Sequence, residues 1–138
     1  MQKFKLSVIG LGKLGAPLLA VFAAKGFSVI GLDINSAYVE SINKGIAPMF
    51  EPELQDYLDK GRDNYRATQD YSELMRESDV TFYIVPTPSK PDSHFSDDYL
   101  KDALGKSAKE LKNIEKPYHI FVITSTVSPG TINKNLIP

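Results

Sequence analysis

Residues 5–33, KLSVIGLGKLGAPLLAVFAAKGFSVIGLD, decide the fold. The stretch holds a short apolar run, three glycines, an apolar pattern with helical spacing, and a second apolar run that ends in an acid. Short apolar runs bounded by turn residues are typical of strands that are buried on both faces. The stretch therefore predicts a strand, a tight turn, a helix and a second strand parallel to the first.

The three glycines of this stretch, Gly10, Gly12 and Gly15, have the spacing G-x-G-x-x-G. That spacing suits a tight turn, close approach of the backbone to a pyrophosphate, and close packing of a helix on a strand. A helix that opens at about Lys13 directs unpaired N–H groups and the positive end of its dipole at the turn. We predict a phosphate-binding turn formed by Gly10, Leu11, Gly12, Lys13, Leu14 and Gly15.

The acid that ends the second apolar run is Asp33. It follows the glycines at about the distance, roughly 20 residues, at which a carboxylate binds the adenosine ribose of a dinucleotide. A carboxylate accepts hydrogen bonds from ribose hydroxyls and repels a 2′-phosphate. The sequence therefore predicts NAD as the cofactor in preference to NADP.

Composition excludes several other classes of protein. With 138 residues, residues 1–138 are expected to form one domain. The 16 basic and 17 acidic side chains give a formal net charge of -1 without a long basic block, so nucleic acid is not an expected partner. We also expect no membrane contact and a cytoplasmic location, because no apolar run is long enough to cross a bilayer and no signal-peptide pattern begins the chain.

The sequence has no cysteine, which excludes disulfides, thiolate metal sites and a cysteine nucleophile within it. His94 and His119 have no second histidine or carboxylate at ligand spacing, so we predict no metal site. No catalytic residue is assigned to this chain.

The rest of the chain alternates between strand and helix patterns. Strands are predicted at residues 65–68, 80–85 and 118–123, and helices are predicted with caps at Asn35 or Ser36, at Asp70 or Ser72, and at Ser96, Asp97 or Asp98. Another helix is expected to have Pro52 in its first turn. This alternation predicts an α/β fold, a Rossmann-like doubly wound and mainly parallel sheet with helices on both faces.

Four separated segments together resemble one family: VIGLGKLG at 8–15, MFEPEL at 49–54, DVTFYIVPTPS at 79–89 and TSTVSPGT at 124–131. They resemble the N-terminal NAD-binding domain of the UDP-glucose/GDP-mannose dehydrogenases, the nucleotide-sugar dehydrogenases. The resemblance implies oxidation of the primary alcohol of a UDP-sugar to a uronic acid in two NAD-dependent steps, in polysaccharide biosynthesis. It also implies a nucleotide-sugar substrate and a full-length enzyme that is a homo-oligomer.

The resemblance also assigns site residues. It places residues 10–15 on the pyrophosphate and Asp33 on the adenosine ribose. It places Val85, Pro86, Thr87 and Pro88 along the nicotinamide half, with Ser125 and Thr126 beside it. The chain departs from the family at Lys13, where an aromatic residue is usual, and at Pro86, where glycine or asparagine is common.

The catalytic cysteine, the catalytic lysine and the sugar-binding residues of the family belong to later segments that this sequence does not contain. We therefore expect a fragment of a longer enzyme, inactive alone, that lacks the substrate and C-terminal domains. Two alternatives stay open at this point. One is the NAD-binding domain of a β-hydroxyacid or 6-phosphogluconate-type dehydrogenase, and the other is a non-catalytic NAD-binding module.

Overall fold

The computed structural model describes residues 3–137 and contains one parallel sheet of five strands. The strand order is β3-β2-β1-β4-β5, and every neighbouring pair is parallel. This arrangement confirms the predicted doubly wound sheet. The strands are β1 (Leu6–Ile9), β2 (Val29–Leu32), β3 (Tyr65–Thr68), β4 (Val80–Tyr83) and β5 (Ile120–Ile123).

Five α-helices cover the two faces of the sheet, because the parallel strands need crossovers that return the chain to the same edge. They are α1 (Gly15–Ala24), α2 (Ser36–Lys44), α3 (Leu54–Lys60), α4 (Tyr71–Glu77) and α5 (Asp98–Leu111). Buried residues of α1, α2 and α3 share one apolar core, and those of α4 and α5 share a second core. The sheet therefore lies between two helical layers, as predicted.

The strand order reverses at β1, which has β2 on one side and β4 on the other. At the carboxyl end of β1, Ile9 is in register with Leu32 of β2 and with Tyr83 of β4. The segments that leave these three strands therefore meet at one place. In open α/β sheets such a switch point is where ligands bind.

Several predicted boundaries differ from the observed ones. β4 ends at Tyr83 instead of residue 85, because the N–H of Val85 donates to the side chain of Ser125 (2.9 Å) and leaves the ladder. Pro52 lies ahead of α3 and not in its first turn. The helix instead begins after Glu53, whose φ of 65° is left-handed and breaks the helical path.

Other boundaries shift by one or two residues. α1 begins at Gly15 and not at about Lys13, and β5 begins at Ile120. The predicted caps at Asn35 and Asp70 are confirmed, since their side chains accept from the N–H groups of Ala37 and Ser72. Within residues 3–137, no helix is long and apolar enough to cross a membrane.

Candidate dinucleotide-binding site

The glycine turn between β1 and α1 is closed by contacts between backbone atoms. Gly10 has a φ of 99°, and a Cβ at this position would lie 2.0 Å from the carbonyl oxygen of Ile84. A Cβ on Gly15 would lie 1.6 Å from the carbonyl oxygen of Gly10. Only glycine fits at either position, so the turn and the packing of α1 depend on both residues.

Gly12, the middle glycine, has a different environment from the other two. A Cβ on Gly12 would meet no atom of the described residues within 4 Å. Within the described residues, no acceptor is bonded to the N–H groups of Gly12, Lys13 and Leu14, and no side chain caps the start of α1. Three unpaired donors at a helix N-terminus, beside space that no side chain fills, form an anion-binding site.

Asp33 directly follows β2 and is bonded to the turn. One carboxylate oxygen accepts from the N–H of Leu11 (2.6 Å), and the other accepts from the N–H of Asn35 (2.8 Å). Each oxygen keeps a further lone pair, so the carboxylate can still accept bonds from a ligand. The acid and the anion site therefore lie side by side.

A cavity of about 870 Å³ opens at this edge of the sheet. Its volume is within the range of small-molecule sites, about 300–1,000 Å³. Apolar side chains from the ends of three strands form part of its wall, including Ile9, Leu32 and Ile84. Among the predicted site residues, the cavity is lined by Gly10, Gly12, Lys13, Leu14, Gly15, Asp33, Val85 and Pro86.

Five predicted site residues do not line the cavity. Leu11 is fully buried in the core, and its contribution to the turn is its N–H group. The hydroxyl of Ser125 donates to the carbonyl of Val85 (2.8 Å) and accepts from the N–H of Val85. It thereby fixes the segment after β4. Among residues 3–137, no side-chain hydrogen bond involves the remaining three, Thr87, Pro88 and Thr126, and their predicted cofactor roles stay predictions.

One wall of the cavity consists of residues that the sequence analysis did not single out. Tyr71 of α4 and the α5 residues Tyr99, Asp102 and Lys106 line it. The three α5 residues have spacings of three and four, which is the signal that they share one helix face. Only the packing of α5 beside the switch point shows that this face borders the cavity.

Tyr71 is held as a neutral phenol at this wall. Burial raises its pKa to about 12, and the nearby carboxylates of Asp102 and Asp33 add to the shift. The ammonium group of Lys106 lies 5.8 Å from the centre of its ring and is paired with Asp102 at 2.7 Å. The wall is therefore aromatic with a paired charge at its rim, which suits a planar heterocycle more than a metal ion. Within residues 3–137, no group of three or more His, Cys, Asp or Glu side chains could hold a metal.

These features fit a dinucleotide. The open space at Gly12 admits a phosphate, Asp33 offers carboxylate oxygens to a ribose, and the apolar cavity extends to both sides of the switch point. Rings of a dinucleotide bury apolar surface at its ends, while its phosphates need donors at its centre. The cavity offers both apolar surface and unpaired donors.

Comparison with known proteins gives the same assignment. The chain is 35% identical over 136 residues to a GDP-mannose 6-dehydrogenase of Pseudomonas syringae pv. tomato, covering 97% of the chain and 31% of that relative. It is 37% identical over 128 residues to a UDP-glucose 6-dehydrogenase of Haloferax volcanii, covering 92% of the chain and 29% of the relative. The chain thus spans about a third of the length of the relatives that it matches.

A solved structure agrees with the fold. A ternary complex of GDP-mannose dehydrogenase from Pseudomonas aeruginosa superposes with a TM-score of 0.92 and 34% identity, covering 97% of the chain and 31% of that structure. The sequence pattern described as "UDP-glucose/GDP-mannose dehydrogenase family, NAD binding domain" matches residues 4–138. The chain belongs to the UDP-glucose/GDP-mannose dehydrogenase family and is its NAD-binding domain.

Proposed function

We propose that this domain holds NAD for a dehydrogenase that oxidises the primary alcohol of a UDP-sugar to a uronic acid. The observation that carries the proposal is the open space at Gly12, which faces unpaired N–H groups of the helix start and lies in the same cavity as Asp33. When bound, NAD⁺ supplies a hydride acceptor. The task of the chain is to bind that acceptor and orient it.

The proposed roles follow the order of groups along the cavity. Residues 10–15 hold the pyrophosphate, and Asp33 accepts from the adenosine ribose. Val85 and Pro86, with Thr87 and Pro88 next to them in sequence, border the nicotinamide half. Ser125 supports that border through its two hydrogen bonds to the backbone of Val85, and Thr126 follows it.

The substrate half of the reaction is proposed to belong to a longer polypeptide. Curated relatives are about three times as long as the matched segment, and the present sequence has no cysteine to serve as the nucleophile for the second oxidation. The proposed partners are therefore a nucleotide sugar and, in the full-length enzyme, further copies of the same subunit.

GDP-mannose is a second candidate substrate, because relatives of that name are among the most similar proteins. The cavity described here is assigned to NAD, so it does not distinguish the two substrates. Steady-state oxidation of UDP-glucose and GDP-mannose by the full-length protein would distinguish them. A preference for GDP-mannose would overturn the UDP-sugar assignment and leave the NAD site unaffected.

Titration of the chain with NADH, followed by NADH fluorescence, tests the cofactor site. Gly12→Val places a branched side chain where the pyrophosphate approaches, so binding should fall at least about 100-fold while the fold is kept. Gly105→Val is the matched control, since a Cβ at Gly105 also meets nothing within 4 Å and this residue of α5 does not line the cavity. If both variants bind NADH like the unaltered chain, the proposed site is wrong.

A further inference from the structure

The first two N–H groups of the glycine turn donate to two consecutive residues at the end of β2. Gly10 donates to the backbone carbonyl of Leu32 (2.8 Å), and Leu11 donates to the side-chain carboxylate of Asp33 (2.6 Å). The carboxylate thus gives the turn a second hydrogen bond to the end of β2.

Leu11 is also held through its side chain. It is fully buried, and a Cβ on Gly31 of β2 would lie 2.8 Å from one of its methyl carbons and 2.7 Å from a methyl carbon of Leu19 in α1. Gly31 therefore leaves the space that Leu11 and Leu19 fill. With its side chain packed against β2 and α1 and its N–H bonded to Asp33, Leu11 has a fixed peptide orientation.

The three N–H groups after this fixed point are those of the anion site, on Gly12, Lys13 and Leu14. We infer that Asp33 is a positioning residue for the pyrophosphate, acting through the N–H of Leu11, in addition to its proposed contact with the ribose. The inference rests on the proposed function. It assigns to the acid a second task that does not involve the sugar ring.

The positioning role of Asp33 can be distinguished from the direct effect of its negative charge on pyrophosphate binding. A carboxylate next to an anion site repels the anion, so the charge of Asp33 opposes pyrophosphate binding. Any loss of pyrophosphate affinity on removal of the side chain must therefore come from the lost hydrogen bonds of the carboxylate. Of the two bonds of the carboxylate, the one to Leu11 is part-buried and the one to Asn35 is exposed, so water replaces only the second easily.

The test compares Asp33→Asn with Asp33→Ala in the 138-residue chain. Both variants lose the negative charge, but only asparagine keeps an oxygen that can accept from Leu11. The probe is inorganic pyrophosphate, which has no ribose, titrated while the amide NMR signals of Gly12, Lys13 and Leu14 are followed. Hydrogen exchange at the Leu11 amide is measured on the same samples.

The alanine variant should bind pyrophosphate about 5- to 10-fold more weakly than the asparagine variant, the loss expected for one hydrogen bond. The Leu11 amide should exchange faster in the alanine variant and remain protected in the asparagine variant.

Equal pyrophosphate affinity and equal Leu11 exchange in the two variants would overturn the inference. If pyrophosphate leaves these amide signals of the unaltered chain unchanged while NADH binds, the inference also fails and the proposed function stands. If neither NADH nor pyrophosphate binds, the proposed function itself fails.

Discussion

Gly15 and Gly10 are in such close contact that a Cβ on Gly15 would lie 1.6 Å from the carbonyl oxygen of Gly10. The first residue of α1 therefore packs directly on the first residue of the turn. No rotamer change relieves such an overlap, because both partners are backbone. The distance between helix and strand, and with it the position of the anion site, is set by the absence of a side chain at residue 15.

Gly15→Ala should therefore destabilise the fold, by roughly 1–3 kcal/mol or more, as α1 must shift away from the sheet. Gly105→Ala is the matched change in α5, where a Cβ meets nothing within 4 Å, and should stabilise by about 0.5–1 kcal/mol through helix propensity. Chemical denaturation of the two variants measures both effects. A Gly15→Ala variant as stable as the unaltered chain would contradict the contact.

Asp33 should make the chain prefer NAD over NADP by at least about tenfold, because a 2′-phosphate near this carboxylate meets a like charge. Asp33→Asn should narrow the preference by removing the charge while keeping an acceptor for Leu11. Asp33→Ala should narrow it too and also weaken NAD. Fluorescence titrations with NADH and NADPH give the ratio. Equal affinities in the unaltered chain would show that the acid does not face the ribose.

The chain alone should not oxidise a nucleotide sugar, even when saturated with NAD⁺. Holding an alcohol against the cofactor can supply roughly 7–11 kcal/mol of barrier reduction. We assign that positioning to the segments of the relatives that lie outside the matched third. NADH absorbance in the presence of UDP-glucose or GDP-mannose is the measurement, with the full-length protein as the positive control. Steady turnover by the fragment that disappears in Gly12→Val would place the catalytic residues within it.

A chain of hydrogen bonds at the amino ends of the strands connects Ser78 to His119. The buried hydroxyl of Ser78 donates to the carbonyl of Leu74 (2.7 Å), so it accepts from Ser7 (2.9 Å). Ser7 in turn accepts from Thr81 (2.7 Å), which leaves Thr81 to accept from Nε2–H of His119 (2.7 Å). In this order of donors, His119 donates through Nε2. Its Nδ1 is buried without a partner among the described residues.

His119 should make the fold less stable in acid. Burial, with the nearby charge of Lys116, lowers its pKa from 6.5 to about 4. The unfolded chain then binds more protons than the folded chain between these values, so stability is complete above pH 6.5 and falls as the pH drops toward 4. Allowing for solvent screening, roughly 1–2 kcal/mol of the free energy of unfolding should be lost between these pH values.

His119→Gln keeps a donor for Thr81 and does not titrate, so denaturation curves at pH 7 and pH 4.5 should differ less for this variant than for the unaltered chain. Identical pH dependence in the two proteins would contradict the assignment.

The fold class and the glycine turn with its neighbouring acid could be predicted from the sequence. Glycines 10, 12 and 15, the apolar runs on either side and Asp33 lie within one continuous stretch, so their spacing along the chain carries the information. The residue preferences of strands, turns and helices depend on spacings of this length along the chain. For the same reason the caps at Asn35 and Asp70 were predictable from the sequence.

The distant residues that border the cavity could not be predicted from the sequence. Tyr71, Tyr99, Asp102 and Lys106 reach the cavity because α4 and α5 pack beside the switch point, a result of strand order that no local spacing encodes. The bond from Val85 to Ser125 and the bond from Leu11 to Asp33 likewise depend on which strands are neighbours. Periodicity in the sequence tells which residues share a face of one element, whereas contacts between elements depend on the packing of the whole sheet.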